Sequence, residues 1–177
     1  ETLQTLVDIV RQGKALYVGI SKYPKEATEF AYKYLAERDV HCLLYQGKYN
    51  LFNREPEEEG ILRQAKENGT GFIAFSPLAQ GLLTNRYLNG IPEDSRMARG
   101  GFLKKEQLTE DVLSKIKALN KMAEERGQTL AEMALAWVLK DDLVTSVIIG
   151  ASSVAQLEDN LKAIRNTSFT KEELRRL

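Results

Sequence analysis

The sequence predicts an α/β chain with four parallel strands, and three observations carry that prediction. Short apolar runs with β-branched residues alternate with helical patterns along most of the chain, the order that builds βαβ units with right-handed crossovers. The runs are nearly continuous in apolar character, as expected of parallel strands covered on both faces. The chain also opens on a helix that no strand precedes, so the pattern reads as part of a longer alternation. Two architectures fit: an open doubly wound sheet, or half of a (β/α)8 barrel. A complete barrel takes about 250 residues, and four strands in 177 residues suit its C-terminal half.

Each element has its own justification. Leu3, Leu6, Val7 and Val10 recur at helical spacing, and Gly13 is placed to end that helix. "ALYVGIS" (15–21) is the first strand, and Pro24 suits the first turn of the helix "PKEATEFAYKYLAERD" (24–39). "HCLLYQ" (41–46) is the second strand, and "EEEGILRQAKENG" (57–69) reads as one helix closed by Asn68 and Gly69. "GFIAF" (71–75) is the third strand. A long connection from Ser76 leads to a helix over 109–126 that Gly127 ends. Thr129 and Glu132 form a capping box for "LAEMALAWVLK" (130–140), whose Leu130, Met133 and Trp137 lie on one apolar stripe. "SVIIG" (146–150) is the fourth strand, its following helix capped by Ser153 with Gln156 three residues on. Thr170 and Glu173 start the last helix.

Composition narrows the class. The chain is 43% hydrophobic and 28% charged with zero formal net charge, which suits a soluble domain and gives nucleic acid no electrostatic hold. No apolar run approaches the roughly 20 residues of a membrane span, and "ETLQTLVDIVRQG" is unlike a secretory signal. Cys42 has no second cysteine to pair with and the single His41 cannot build a zinc site, so a reducing cytoplasm is expected. Residues 1–177 read as one incomplete domain.

In either architecture ligands bind at the carboxyl ends of the strands. Those ends carry Ser21 and Lys22, then Gln46 and Gly47, then "FSPLAQGLL" from Phe75, and finally "GASSVAQLEDN" from Gly150. Ser and Gln can donate to and accept from a carboxamide or a ribose, and Phe75 offers an aromatic face. Gly150 and the serines at a helix start suit an anion, since the helix dipole and free N–H groups favour negative charge there. The long connection carries Arg86, Arg96 and Arg99, a basic flap suited to phosphate. Capped turns and a solvated loop account for the same residues without a ligand.

"GKALYVGIS", "YQGKYNLFNR", "AFSPLAQGLLTNRYLNGIPEDSR" and "VTSVIIGASSVAQLEDN" together resemble the aldo-keto reductases. The branch is the one shared by bacterial glyceraldehyde-3-phosphate reductase-like enzymes and potassium-channel β subunits. The resemblance covers essentially the whole chain and implies the C-terminal half of a barrel that binds NADPH across its strand tips. It implies that Ser21 and Gln46 hydrogen-bond the nicotinamide carboxamide and that Phe75 stacks on the ring. Ser76, Leu78, Gln80 and Gly81 would lie along the pyrophosphate, with Arg86 reaching the phosphates and Arg96 covering the adenosine end. Gly150, Ser152, Gln156, Asp159 and Asn160 would form the 2′-phosphate and adenine site.

Several positions depart from the family pattern. Gly150 and Gln156 stand where many members carry a Lys and an Arg, Asp159 replaces a Glu, and Lys22 stands where Asn is common. The resemblance implies that a Tyr protonates the carbonyl, tuned by a Lys, an Asp and a His, and that all four lie on loops of the first barrel half, with no counterpart in this sequence. The resemblance therefore implies the cofactor-binding half of a reductase of aldehydes and ketones, inactive without its N-terminal half-barrel and prone to self-association through open strand edges. The alternative is a regulatory NADP-binding module like the channel β subunits.

Overall fold

The computed structural model describes residues 1–93, 95, 97, 98, 100 and 103–177. Its chain divides into two compact units. The first comprises Glu1–Tyr49, Asn53–Phe75 and Asp141–Ile148; the second comprises Asn50–Phe52, Ser76–Lys140 and Ile149–Leu177.

The first unit holds helix α1 (Thr2–Arg11), strand β1 (Val18–Ser21), α2 (Lys25–Ala36), β2 (Cys42–Lys48), α3 (Glu55–Glu58), α4 (Ile61–Glu67), β3 (Gly71–Phe75) and β4 (Ser146–Ile148). The strands form one parallel sheet in the order β1-β2-β3-β4. That order never reverses, so the sheet has no doubly wound switch point. The segment expected to be one helix over 57–69 is two, because Gly60 takes the left-handed conformation (φ 81°) between α3 and α4. Glycine meets no Cβ penalty there, and the chain turns before the second helix starts.

Only one sheet face is closed, contrary to the expectation of two covered faces. Ile20, Tyr45, Phe72 and Ala74 alternate onto the closed face and are at most 4% exposed. Glycine is required on that face: a Cβ on Gly47 would stand 2.7 Å from Phe72 Cζ. Register partners Ser21 and Gln46, Gln46 and Ile73, and Phe75 and Ile148 share the opposite face. There Gln46, Ile73 and Phe75 are half-buried, and Ser21 is exposed. β4 is exposed or half-exposed along its length, with Ile148 at 47%. An apolar parallel strand so bare lacks the neighbours such strands ordinarily have.

The second unit holds α5 (Glu110–Glu125), α6 (Leu130–Val138), α7 (Val154–Leu161) and α8 (Lys171–Arg176). Its core joins Leu82, Tyr87, Met97 and Leu103 of the long connection to Ile116, Met122 and Ala123 of α5 and Leu130 and Met133 of α6. Trp137 is fully buried in this unit. The expected caps are present: Ser153 and Thr170 accept from the amides of Gln156 and Glu173, and Thr129 with Glu132 closes a full capping box; Thr109, not foreseen, likewise caps α5 by accepting from the Val112 amide. Arg126 at the end of α5 donates to Glu173 at 2.6 Å and to the Ser168 carbonyl, with its guanidinium 3.8 Å from the Phe169 ring. Among the described residues no helix is long and apolar enough to cross a membrane.

Candidate functional site

The first unit brings Ser21, Gln46 and Phe75 together at the carboxyl ends of three adjacent strands and on one face. The parallel pleat explains this: register partners point the same way and residues two apart share a side. The next residue, Lys22, turns into the left-handed region (φ 58°) while its amide donates to the Gln46 carbonyl at 3.1 Å. Its ammonium then stands 5.4 Å from the centre of the Phe75 ring. Tyr45, on the other face, is held by its hydroxyl donating to the Tyr23 carbonyl at 2.7 Å.

In the second unit Ser76, Ala79 and Gln80 have φ of 53°, 46° and 60°, and Gly81 follows at 103°. Non-glycine residues held there cost about 1–3 kcal/mol each and persist only where the surroundings over-determine them. Here the Ser76 carbonyl accepts from Ala79 and from the side-chain amide of Asn50, and the Leu78 carbonyl accepts from Gly81 and Leu83. Asn50 is fully buried, and its own side-chain oxygen accepts from the Phe52 amide. The sequence reading missed Asn50 as a positioning residue. It lies inside the quoted "YNLFNR", and only its burial shows that it holds the loop. Leu78, Gln80 and Gly81 remain half-exposed along this turn. Arg86 sits in the following turn (Asn85–Tyr87), with its amide on the Thr84 hydroxyl. Arg96 and Arg99 lie outside the described residues.

At α7 the residues expected to hold an anion form a closed set of contacts with one another. The Ser152 amide and hydroxyl both donate to Gln156 Oε1, at 2.7 and 3.0 Å, and the Gln156 amide donates to Ser153. Gly150 is exposed beside them. Asp159 is paired with Lys162 at 2.6 Å. Asn160, 5% exposed, keeps its side-chain Nδ2 without a partner, and a buried unpaired donor is costly enough to need an explanation.

The buried tyrosines are poorly suited to donate a proton. Burial pushes the hydroxyls of Tyr32, Tyr45 and Tyr49 up from their ordinary value, away from the neutral range that suits a general acid. The Cys42 thiol is likewise raised by burial, which keeps it an inert core group.

Comparison with known proteins places the chain in a family. The chain is 51% identical to the L-glyceraldehyde 3-phosphate reductase of Escherichia coli strain K12, over 98% of its own length and 51% of that protein's. It is 36% identical to a probable voltage-gated potassium channel subunit beta of Arabidopsis thaliana, over 93% of this chain and 51% of that one. The chain thus spans about half the length of the curated relatives it matches. Among solved structures, the thermostable aldo-keto reductase Tm1743 in complex with the inhibitor epalrestat superposes with a TM-score of 0.69 at 27% identity, over 99% of this chain and 52% of that one. The model of the aldo/keto reductase family matches residues 1–177 from end to end, and the chain belongs to that family.

Proposed function

We propose that this chain is the cofactor-binding half of an NADPH-dependent reductase that converts aldehydes or ketones to alcohols. The observation that carries the reading is the set Ser21, Gln46 and Phe75, two hydrogen-bonding side chains and an aromatic ring on one open face at adjacent strand tips. When bound, NADPH supplies the hydride. Ser21 and Gln46 hold the carboxamide and so fix which face of the pyridine is presented, while Phe75 supports the ring. By the resemblance, the strained turn over Ser76, Leu78, Gln80 and Gly81 would hold the pyrophosphate and Arg86 would reach the phosphates. Arg96, outside the described residues, is assigned to the adenosine end by the resemblance alone.

The residues of the adenosine site fit the group. Asn160 Nδ2 is a buried donor without a partner, and adenine offers ring-nitrogen acceptors. Ser152 and Gln156 can exchange their mutual hydrogen bonds for a phosphate at the start of α7, where the dipole favours an anion. With Gly150 and Gln156 in place of cations, the grip on a 2′-phosphate rests, among the described residues, on Ser152. Asp159 reaches the adenine amine by releasing Lys162.

The proton donor and the substrate pocket come from a complementary N-terminal half-barrel that pairs with the exposed edges of the sheet, the chain here being the C-terminal half of a (β/α)8 barrel. The substrate is a small carbonyl compound, of which the phosphorylated aldehyde named by the Escherichia coli relative is one example. A lone buried Cys42 suits a reducing cytoplasm. The likeness to channel β subunits supports a second reading, in which cofactor occupancy regulates a partner and turnover is secondary.

The test is a titration and an assay side by side. NADPH fluorescence and carbonyl-dependent NADPH oxidation are measured on this chain alone and on the chain completed by its N-terminal half. The expected result is weak or absent binding and no turnover for the chain alone, and tight binding with turnover for the complete barrel. A complete barrel that binds without turnover selects the regulatory reading, and one that binds no NADPH overturns both.

A further inference from the structure

We infer that Lys22 makes the nicotinamide site discriminate between the two redox forms of its cofactor, favouring the reduced ring over the oxidised one. The inference rests on the nicotinamide reading proposed above. Its own basis is a charge placed where that ring's charge changes. Lys22 is the residue that follows Ser21 at the tip of β1, and its left-handed backbone (φ 58°) is pinned by the amide bond to the Gln46 carbonyl. The side chain is thereby directed across β2 to the Phe75 ring, 5.4 Å from its centre. Among the described residues no carboxylate pairs with Lys22, so its charge is not neutralised locally.

The oxidised pyridinium carries a positive charge and the dihydropyridine carries none. A pyridine stacked on the far side of Phe75, about 4.5–7 Å beyond it, would stand about 10–12 Å from the ammonium, close to one screening length at 0.1 M salt. Lys22 therefore repels the oxidised ring and is neutral toward the reduced one. The phosphates are the same in both forms, so their attraction to the protein cancels in the ratio of affinities. The ratio isolates the ring. In a reductase the consequence is functional: spent cofactor leaves more readily than fresh cofactor, and product inhibition by the oxidised form is weakened.

The test measures dissociation constants for NADPH and NADP+ on the complete barrel, for the wild type, Lys22→Gln and Lys22→Arg, with thermal unfolding as the check on folding. Lys22→Gln is expected to narrow the NADPH-over-NADP+ affinity ratio by about two- to fivefold at low salt, after screening of an exposed charge. NADPH affinity should stay within about twofold, and Lys22→Arg should keep the wild-type ratio. The wild-type preference should also shrink as salt is raised, a measurement that needs no variant. An unchanged ratio in Lys22→Gln, or a wild-type ratio indifferent to salt, overturns the role of Lys22 and leaves the cofactor reading standing. A complete barrel that binds neither form overturns the cofactor reading and this inference with it.

Discussion

Asn50 shows how one buried side chain sets a strained loop. Its amide holds the Ser76 carbonyl at 2.9 Å at the point where the chain leaves β3 and enters the left-handed turn. Removing it takes one of two donors from that carbonyl, which keeps the Ala79 amide, and leaves the Phe52 amide without its partner; an unsatisfied group of this kind costs about 1–3 kcal/mol. Asn50→Ala should therefore lower the urea midpoint of the chain, followed through the single buried Trp137. In the complete barrel it should also weaken NADPH, because the strain of Ser76, Ala79 and Gln80 is no longer held. A normal midpoint with unaltered cofactor affinity would show that the turn keeps its shape without Asn50. Such a residue is hard to read from sequence: an Asn in a polar stretch looks solvated until its burial is known.

At the scale of elements, the C-terminal helix is fastened to the second unit by charge. Glu173 accepts from the Thr170 amide in the capping box of α8 and from Arg126, itself stacked on Phe169. The Thr170 amide, first, and Arg126 hold the Glu173 carboxyl below its ordinary value. The sign follows: the unfolded chain takes up this proton more readily, so the contribution is full above the ordinary glutamate range, near pH 4.3, and fades as pH falls through the lower folded value. Denaturation midpoints between pH 6 and pH 3 should decline less steeply in Glu173→Gln than in the wild type; parallel curves would remove Glu173 from the account. The cap itself was legible in the sequence, since Thr170 and Glu173 lie at the spacing a capping box needs. The break at Gly60 was not, because a glycine inside a helical pattern is as often tolerated as used to turn the chain.

For the molecule as a whole, the open sheet is the dominant fact. β1 and β4 each have one paired neighbour, and Ile148 on β4 and Leu16 and Tyr17 before β1 are exposed. Apolar edge strands of this kind recruit other strands. The isolated chain should self-associate in sedimentation velocity at micromolar concentration, and Ile148→Lys should shift it toward monomer by placing a charge on the edge. A wild-type chain that stays monodisperse as a monomer would mean its edges are protected by means the structure does not show.

The sequence by itself determined the alternation of strands and helices, the helix caps, the polar strand tips and the family, because these depend on local periodicity and on residue types at fixed spacing. It left open whether the sheet reverses and wrongly implied that both faces are covered, because strand order and exposure depend on contacts distant in sequence. Only the tertiary structure placed Ser21, Gln46 and Phe75 on one open face and turned Lys22 onto the aromatic ring. Pleat and register combine residues from separate strands, and no single stretch of sequence contains that sum.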